Sequence, residues 1–174
     1  MIKINKVTTK TGDSGNTLGP DNKRTPKSSC NIEFLGNLDE LNVLIGESIL
    51  YSSQDESKEI LEKIQHQLFD IGGMFYSQKL RDFDNYILFL ENNIEKLNQN
   101  LKELTSFLLP KGTQEVISLH KARTKARKTE RTFFSLKDIE KVSNIGIYLN
   151  RLSDLIFIII RKLDNEPWKP FEKY

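Results

Sequence analysis

Apolar residues recur at spacings of three and four along most of this chain, a period of 3.6 that commits it to helices burying one face each. Ile60, Leu61, Ile64, Leu68, Ile71 and Phe75 form the most regular stripe. Leu38, Leu41, Ile45 and Ile49 form another, introduced by Asn37 as a candidate cap with Asp39 and Glu40 in the first turn, which predicts a helix over 38–51. A third segment begins at Asp82 or Asp84 and carries Ile87, Leu90, Ile94, Leu97, Leu101 and Leu104, before Pro110-Lys111-Gly112 breaks the chain. A fourth, Thr113 to Leu136, aligns Leu119, Ala122, Ala126, Thr129 and Phe133. The fifth, with Asp138 as its expected cap, aligns Leu149, Leu152, Ile156, Ile159 and Leu163 and stops by Pro167. The expected fold is all-α, a five-helix up-and-down bundle, with no run of strand period in competition. The apolar run Ile156 to Ile160 could be a buried strand by propensity, but the periodicity on either side of it favours helix.

The 174 residues suit a single domain with a real core. Residues 1–35 differ from the rest, because Thr11-Gly12-Asp13-Ser14-Gly15-Asn16-Thr17, Gly19-Pro20-Asp21-Asn22 and Thr25-Pro26-Lys27 crowd turn formers together. The expected division is a loop-rich N-terminal segment to residue 35, a helical body over 36–166 and a tail over 167–174. Cys30, the single cysteine, excludes an internal disulfide and a multi-thiolate zinc site, and suits a reducing compartment. Met1 to Gly12 is polar and mixed, unlike a signal peptide, and the longest apolar run, Leu155 to Ile160, is far short of the roughly 18 residues of a membrane span. A cytoplasmic protein without membrane attachment is expected. The net charge of +2 gives no general case for nucleic acid.

Local charge is more telling. Between Lys121 and Arg131 the fourth segment carries Lys121, Arg123, Lys125, Arg127, Lys128 and Arg131 against the single acid Glu130. At 100° per residue, Arg123, Arg127 and Glu130 fall within roughly 60° of one another, with Arg131 at the edge. Lys121, Lys125 and Lys128 are assigned to the opposite, solvent side. Arginine beside a core stripe suits a planar grip on phosphate or carboxylate, and Glu130 can orient Arg127 at a spacing of three. Ordinary solvated ion pairs explain the same face equally well, and the absence of interleaved aromatic residues weakens a nucleic-acid patch.

Lys10-Thr11-Gly12-Asp13-Ser14-Gly15-Asn16-Thr17 is a second candidate, since glycines let backbone amides approach phosphate while Lys10 and the hydroxyls donate. It lacks the Gly-Lys-Ser/Thr ending of a Walker A loop, and on its own is most simply a turn. Asn150 and Asp154 lie a spacing of four apart beside the most apolar turns of the fifth segment, with Arg151 between them, and Asp39 and Asn42 pose the same question in the first. Such groups are either hydrogen bonds that specify the bundle or ligand contacts. His66 and His120 have no spaced partners and make poor metal ligands.

Together these stretches resemble the PduO-type ATP:cob(I)alamin adenosyltransferase family. The blocks, in order, are Thr9-Lys10-Thr11-Gly12-Asp13 with Gly15, Gly36-Asn37-Leu38-Asp39-Glu40-Leu41-Asn42, and Ile64-Gln65 through Leu68-Phe69-Asp70-Ile71-Gly72. Phe107-Leu108-Leu109-Pro110 then runs into His120 to Arg131, and Tyr148 to Asp154 completes the series. The resemblance implies a homotrimer with active sites between neighbouring subunits. It further implies transfer of the 5′-deoxyadenosyl group of ATP to the cobalt of cob(I)alamin, with triphosphate leaving and Mg²⁺ bound to it. A reductase and an adenosylcobalamin-dependent enzyme are the further partners it suggests. Because cobalt is the nucleophile, no serine, cysteine or histidine nucleophile is needed.

By the same resemblance, Thr9, Lys10, Thr11, Gly12, Thr17 and Leu18 wrap the triphosphate, and Lys27 reaches ATP. Arg127, Glu130, Arg131 and Asn150 complete the ATP site, with Arg127 and Glu130 as catalytic residues. Asp39 and Arg123 resemble a salt bridge across the subunit interface, and Phe107 an aromatic residue that helps displace the lower ligand of cobalamin. Trp168 and Phe171 could cover the corrin. Lys111 stands where the family usually has glycine, Lys128 where it usually has arginine, and Leu18 can contact ATP only through its backbone. The competing reading is a non-catalytic relative, either an ATP sensor or a cobalamin escort.

Overall fold

The computed structural model describes residues 8, 10–80, 83–104 and 106–164. Five helices carry the predicted stripes: α1 over Cys30–Tyr51, α2 over Asp55–Ser77, α3 over Phe83–Asn98, α4 over Gln114–Phe134 and α5 over Asn144–Leu163. All six apolar residues of the α2 stripe are buried, as are Leu119, Ala122, Ala126, Thr129 and Phe133 on α4. Each such large side chain contributes about 1.5–3 kcal/mol through apolar burial, so the stripes, more than helix propensity, hold the helices. Helix α1 packs on α2 and α4, α4 also on α5, and α5 also on α3. Polar contacts join α2 to α3: Tyr86 Oη donates to Asp70 Oδ2 at 2.9 Å, and Lys63 lies over the Phe89 ring at 5.6 Å.

The boundaries differ from expectation at four places. Helix α1 begins at Cys30 after an N-cap at Ser29, a full two turns before Asn37. Asn37 is no cap: its Nδ2 donates to the Glu33 carbonyl at 2.9 Å, and the side chain is buried. The extra turns exist because Phe34 is fully buried, with its ring 4.7 Å from Phe75 and 5.4 Å from Phe133. This cluster ties α1, α2 and α4 together at one end, which repays the polar start of the helix.

Helix α3 ends at Asn98, so Leu101 and Leu104 lie in the loop that follows, Leu101 half-buried and Leu104 exposed. Asp138 adopts a left-handed conformation (φ 56°), and α5 begins only at Asn144. The N-terminal segment also contains strands. β1 (Asn16–Leu18) pairs antiparallel with β2 (Arg24–Pro26), Thr17 opposite Thr25, around a short 3-10 turn at Pro20–Asn22. Strands of three residues that include a proline carry no period to read.

The loop before α4 is anchored where it enters the helix. Thr113 Oγ1 caps α4 by accepting from Val116 N at 3.3 Å. Gly112 sits at φ 118°, where a side chain would be strained and a Cβ would lie 3.0 Å from Asp164 Oδ2. Glu115, buried in the first turn of α4, accepts from Ser53 N and Oγ at 3.1 and 2.7 Å, fixing the α1–α2 loop against α4.

Candidate active site

The N-terminal hairpin forms a compact cationic turn. Gly15 (φ 82°) donates its N–H to the Gly12 carbonyl at 3.1 Å, and Lys27 N–H donates to the Gly15 carbonyl at 2.9 Å. Arg24 donates to the Thr11 carbonyl at 2.5 Å, so the turn is pinned from β2. Gly12 sits in a crowded place: a Cβ there would lie 3.1 Å from Lys27 Nζ and 3.3 Å from the Asn16 carbonyl oxygen. The missing side chain thus lets the Lys27 ammonium approach the backbone of the turn. Lys10, Thr11, Gly12 and Lys27 are brought together in this way, while Thr17 and Leu18 lie along β1, Leu18 exposed. Thr9, Trp168 and Phe171 lie outside the described residues.

On α4, Arg127 and Arg131 are exposed and Glu130 is half-buried. Arg131 Nη1 donates to the Arg127 carbonyl at 3.0 Å. Glu130 does not orient Arg127. Its Oε1 accepts from Asn150 Nδ2 at 3.1 Å, Asn150 Oδ1 accepts from Arg151 at 2.8 Å, and Arg151 Nε lies 3.0 Å from Glu91 Oε1. A chain of alternating donors and acceptors therefore runs from α4 through α5 to α3. The polar residues expected on α5 are its middle links, and Asp154 stays exposed.

Arg123 stacks on Phe157, its guanidinium carbon 4.8 Å from the ring centroid. Its Nε is buried without a hydrogen-bond partner, and burial is the first cause, ahead of neighbouring Arg127, of a pKa below the ordinary arginine value. Asp39 is exposed on α1, and no ion pair joins it to Arg123 within the chain among the described residues. His120 is buried with an unpartnered Nε2, and burial, then Arg123, pushes its pKa down. Phe107, in the loop before α4, is 85 % exposed.

The expected placement of Lys125 is wrong. It is 5 % exposed, with Nζ 2.7 Å from Asn37 Oδ1 and hydrogen-bonded to Glu40. At 100° per residue Lys125 lies about 40° from Thr129 and 60° from Ala122, at the margin of the buried stripe. Its charge suggested solvent, but α1 supplies two acceptors that sequence periodicity cannot display. Lys121, placed on the same side, is indeed half in solvent and pairs with Glu47 at 2.8 Å.

A helical fold that presents a lysine-bearing turn and an exposed arginine row offers groups suited to an anionic ligand. Sequence comparison specifies the class. The chain matches the cobalamin adenosyltransferase family over residues 7–163, and it belongs to that family. It is 38 % identical over 166 residues to a corrinoid adenosyltransferase of Bacillus subtilis, covering 90 % of this chain and 85 % of that one. A cobalamin adenosyltransferase of Cupriavidus metallidurans is 34 % identical over 173 residues, covering 93 % and 90 %. Among solved structures, a variant PduO-type ATP:corrinoid adenosyltransferase from Lactobacillus reuteri complexed with cobalamin and ATP superposes with a TM-score of 0.84 at 28 % identity, covering 91 % of this chain and 93 % of that one. A second variant of that enzyme, complexed with ATP, gives 0.82 at 29 % identity, covering 90 % and 93 %.

Proposed function

We propose that this chain transfers the 5′-deoxyadenosyl group of ATP to cob(I)alamin. The lone pair of Co(I) attacks C5′, the C5′–O5′ bond breaks with its electrons going to oxygen, and triphosphate leaves. The products are adenosylcobalamin and triphosphate. The observation that carries the reading is the similarity of the chain, over nine-tenths of its length, to named corrinoid adenosyltransferases, and the Lys27–Gly12 turn and the α4 arginine row are the cationic groups it offers to triphosphate.

The protein's tasks are alignment and charge. Lys10, Thr11, Gly12 and Lys27 hold the triphosphate together with Thr17 and the Leu18 backbone, and Thr9 is a further triphosphate contact. Arg127 and Arg131 neutralise the charge that grows on O5′ and the departing chain. Glu130, held toward α5 by Asn150, leaves the positive charge of the row for the ligand and completes the site. Among the described residues no group of three or more His, Cys, Asp or Glu side chains could hold a metal ion. Mg²⁺ arriving on the triphosphate oxygens would add positive charge to the leaving group.

Three copies forming a homotrimer, with sites between them, complete the reading, and the whole chain acts as one unit. Asp39 of one copy then pairs with Arg123 of the next. Support comes from Arg123, stacked and lacking an Nε partner, and from Val43 and Leu50, 70 % and 76 % exposed on the same face of α1 as Asp39. Phe107 faces the corrin and displaces its lower ligand, which removes an axial donor and eases reduction to Co(I). No helix among the described residues is long and apolar enough to cross a membrane. A cytoplasmic location, with a reductase supplying Co(I) and a cobalamin-dependent enzyme taking the product, agrees with this chemistry.

Anaerobic mixing of the protein with chemically reduced cob(I)alamin and Mg-ATP tests the proposal. Decay of the Co(I) absorption into the adenosylcobalamin spectrum is expected. Bound ATP beneath a persistent Co(I) spectrum would instead indicate an ATP-sensing or escort protein, with Lys111 and the Phe107 loop the first places to look.

A further inference from the structure

Lys125 is the one buried lysine among the described residues, and it lies at the centre of the contact between α1 and α4. Its ammonium is shared between the Asn37 side chain and Glu40, whose carboxyl it holds below the usual range. Around it, Thr129 Oγ1 donates to the Asn37 carbonyl at 3.2 Å, and Asn37 Nδ2 reaches the Thr132 hydroxyl at 3.4 Å. Asn37 and Thr129 are also buried, so three turns of α4 are tied to a single asparagine of α1.

Phe133 meets Phe34 and Lys121 pairs with Glu47 farther along the same seam, and beside Lys125 the contact is made of small or smooth side chains, Ala122 and Ala126 on α4 with Leu38 and Leu41 on α1. Alanines let helices slide, because apolar contact is non-directional and a shift of one turn exchanges like for like. A buried ammonium has no such freedom, since away from its two acceptors it would be an unpaired charge. Arg127, Glu130 and Arg131 follow Lys125 on α4 within two turns. Asp39 follows Asn37 on α1, and α1 itself continues directly from the Lys27 turn.

We infer that Lys125 is a positioning residue: it sets the axial register of α4 on α1, and so the reach of the arginine row relative to the N-terminal turn and to Asp39. In this role it acts through α4 and not by contact with substrate. The inference rests on the adenosyltransfer reading, because it is the alignment for that reaction that Lys125 maintains. Misplacement of catalytic groups by about 1 Å can cost on the order of 10²-fold in rate without direct loss of a contact.

Two variants separate positioning from plain stabilisation. Lys125→Met removes the charge, and Lys125→Met with Asn37→Leu replaces the polar cluster by apolar side chains, which restores packing without restoring register. The expected result is a folded double variant with near wild-type thermal stability whose kcat remains on the order of tenfold or more below wild type, its ATP KM changing less. Recovery of wild-type kcat together with stability would overturn the inference, as would a folded Lys125→Met protein with full kcat. A double variant that fails to fold would also overturn it, because the cluster would then serve the fold itself. Wild-type protein that forms no adenosylcobalamin would instead remove the adenosyltransfer reading, and this inference with it.

Discussion

Asn150 on α5 donates to Glu130 on α4 across 3.1 Å, and this bond decides how the arginine row is presented. A glutamate three residues from an arginine ordinarily neutralises it along the helix. Here the carboxylate is drawn toward α5, and Asn150 is itself held by Arg151 and, through it, by Glu91 of α3. Arg127 and Arg131 thus remain available to an anionic ligand.

Arg127→Ala is expected to lower kcat by on the order of 10²-fold in steady-state assays, because its charge matters most as the leaving group develops its own. Unchanged turnover in folded protein would remove Arg127 from the mechanism.

Gly12→Ala tests the turn. The added methyl would sit 3.1 Å from Lys27 Nζ and 3.3 Å from the Asn16 carbonyl oxygen, so the lysine head must move. The expected outcome is a several-fold rise in ATP KM with little change in melting temperature. A variant with wild-type KM would show that the approach of Lys27 to the turn is immaterial to ATP.

Glu56 is gripped by Lys162 at 2.7 Å and Lys96 at 2.8 Å, and these bonds lower its pKa to about 2. With the folded value depressed, its contribution is present above the unfolded carboxylate value, near pH 4.5, and is lost as pH falls toward 2. Glu56→Gln should therefore lower the urea midpoint at pH 7, and the gap to wild type should close between pH 4.5 and 2. A gap that did not change with pH would contradict the assignment. Exposure of the pair keeps the effect modest.

His120 acts in the same direction, at higher pH. Burial and Arg123 depress its pKa, so below pH 6.5 the unfolded chain binds the proton more readily than the folded one and stability falls with acidification. Replacing His120 by Gln should flatten the urea midpoint between pH 7.5 and 5. An unaltered pH profile would show that His120 is not the responsible group.

The stripes on α2 and α4 are legible residue by residue, since a single buried face leaves a period that no tertiary partner can erase. The start of α1 is not, because what extends it to Cys30 is the meeting of Phe34 with Phe75 and Phe133, two aromatic residues distant in sequence. The arginine row could be read from angular spacing, but the partner of Glu130 could not, because two carbonyl-bearing side chains on different helices have no shared local signal. Lys125 shows the reverse error. The helical wheel puts it on the side opposite the arginines, yet it lies at the edge of the buried stripe, where Asn37 and Glu40 on α1 make burial possible.

The most direct test of the account is the stoichiometry of a single anaerobic turnover, with adenosylcobalamin read optically and phosphates separated by ion-exchange chromatography. The expected result is one triphosphate released per adenosylcobalamin formed, the signature of displacement at C5′. Release of diphosphate or orthophosphate during turnover, or consumption of ATP without a cobalt–carbon product, would contradict it.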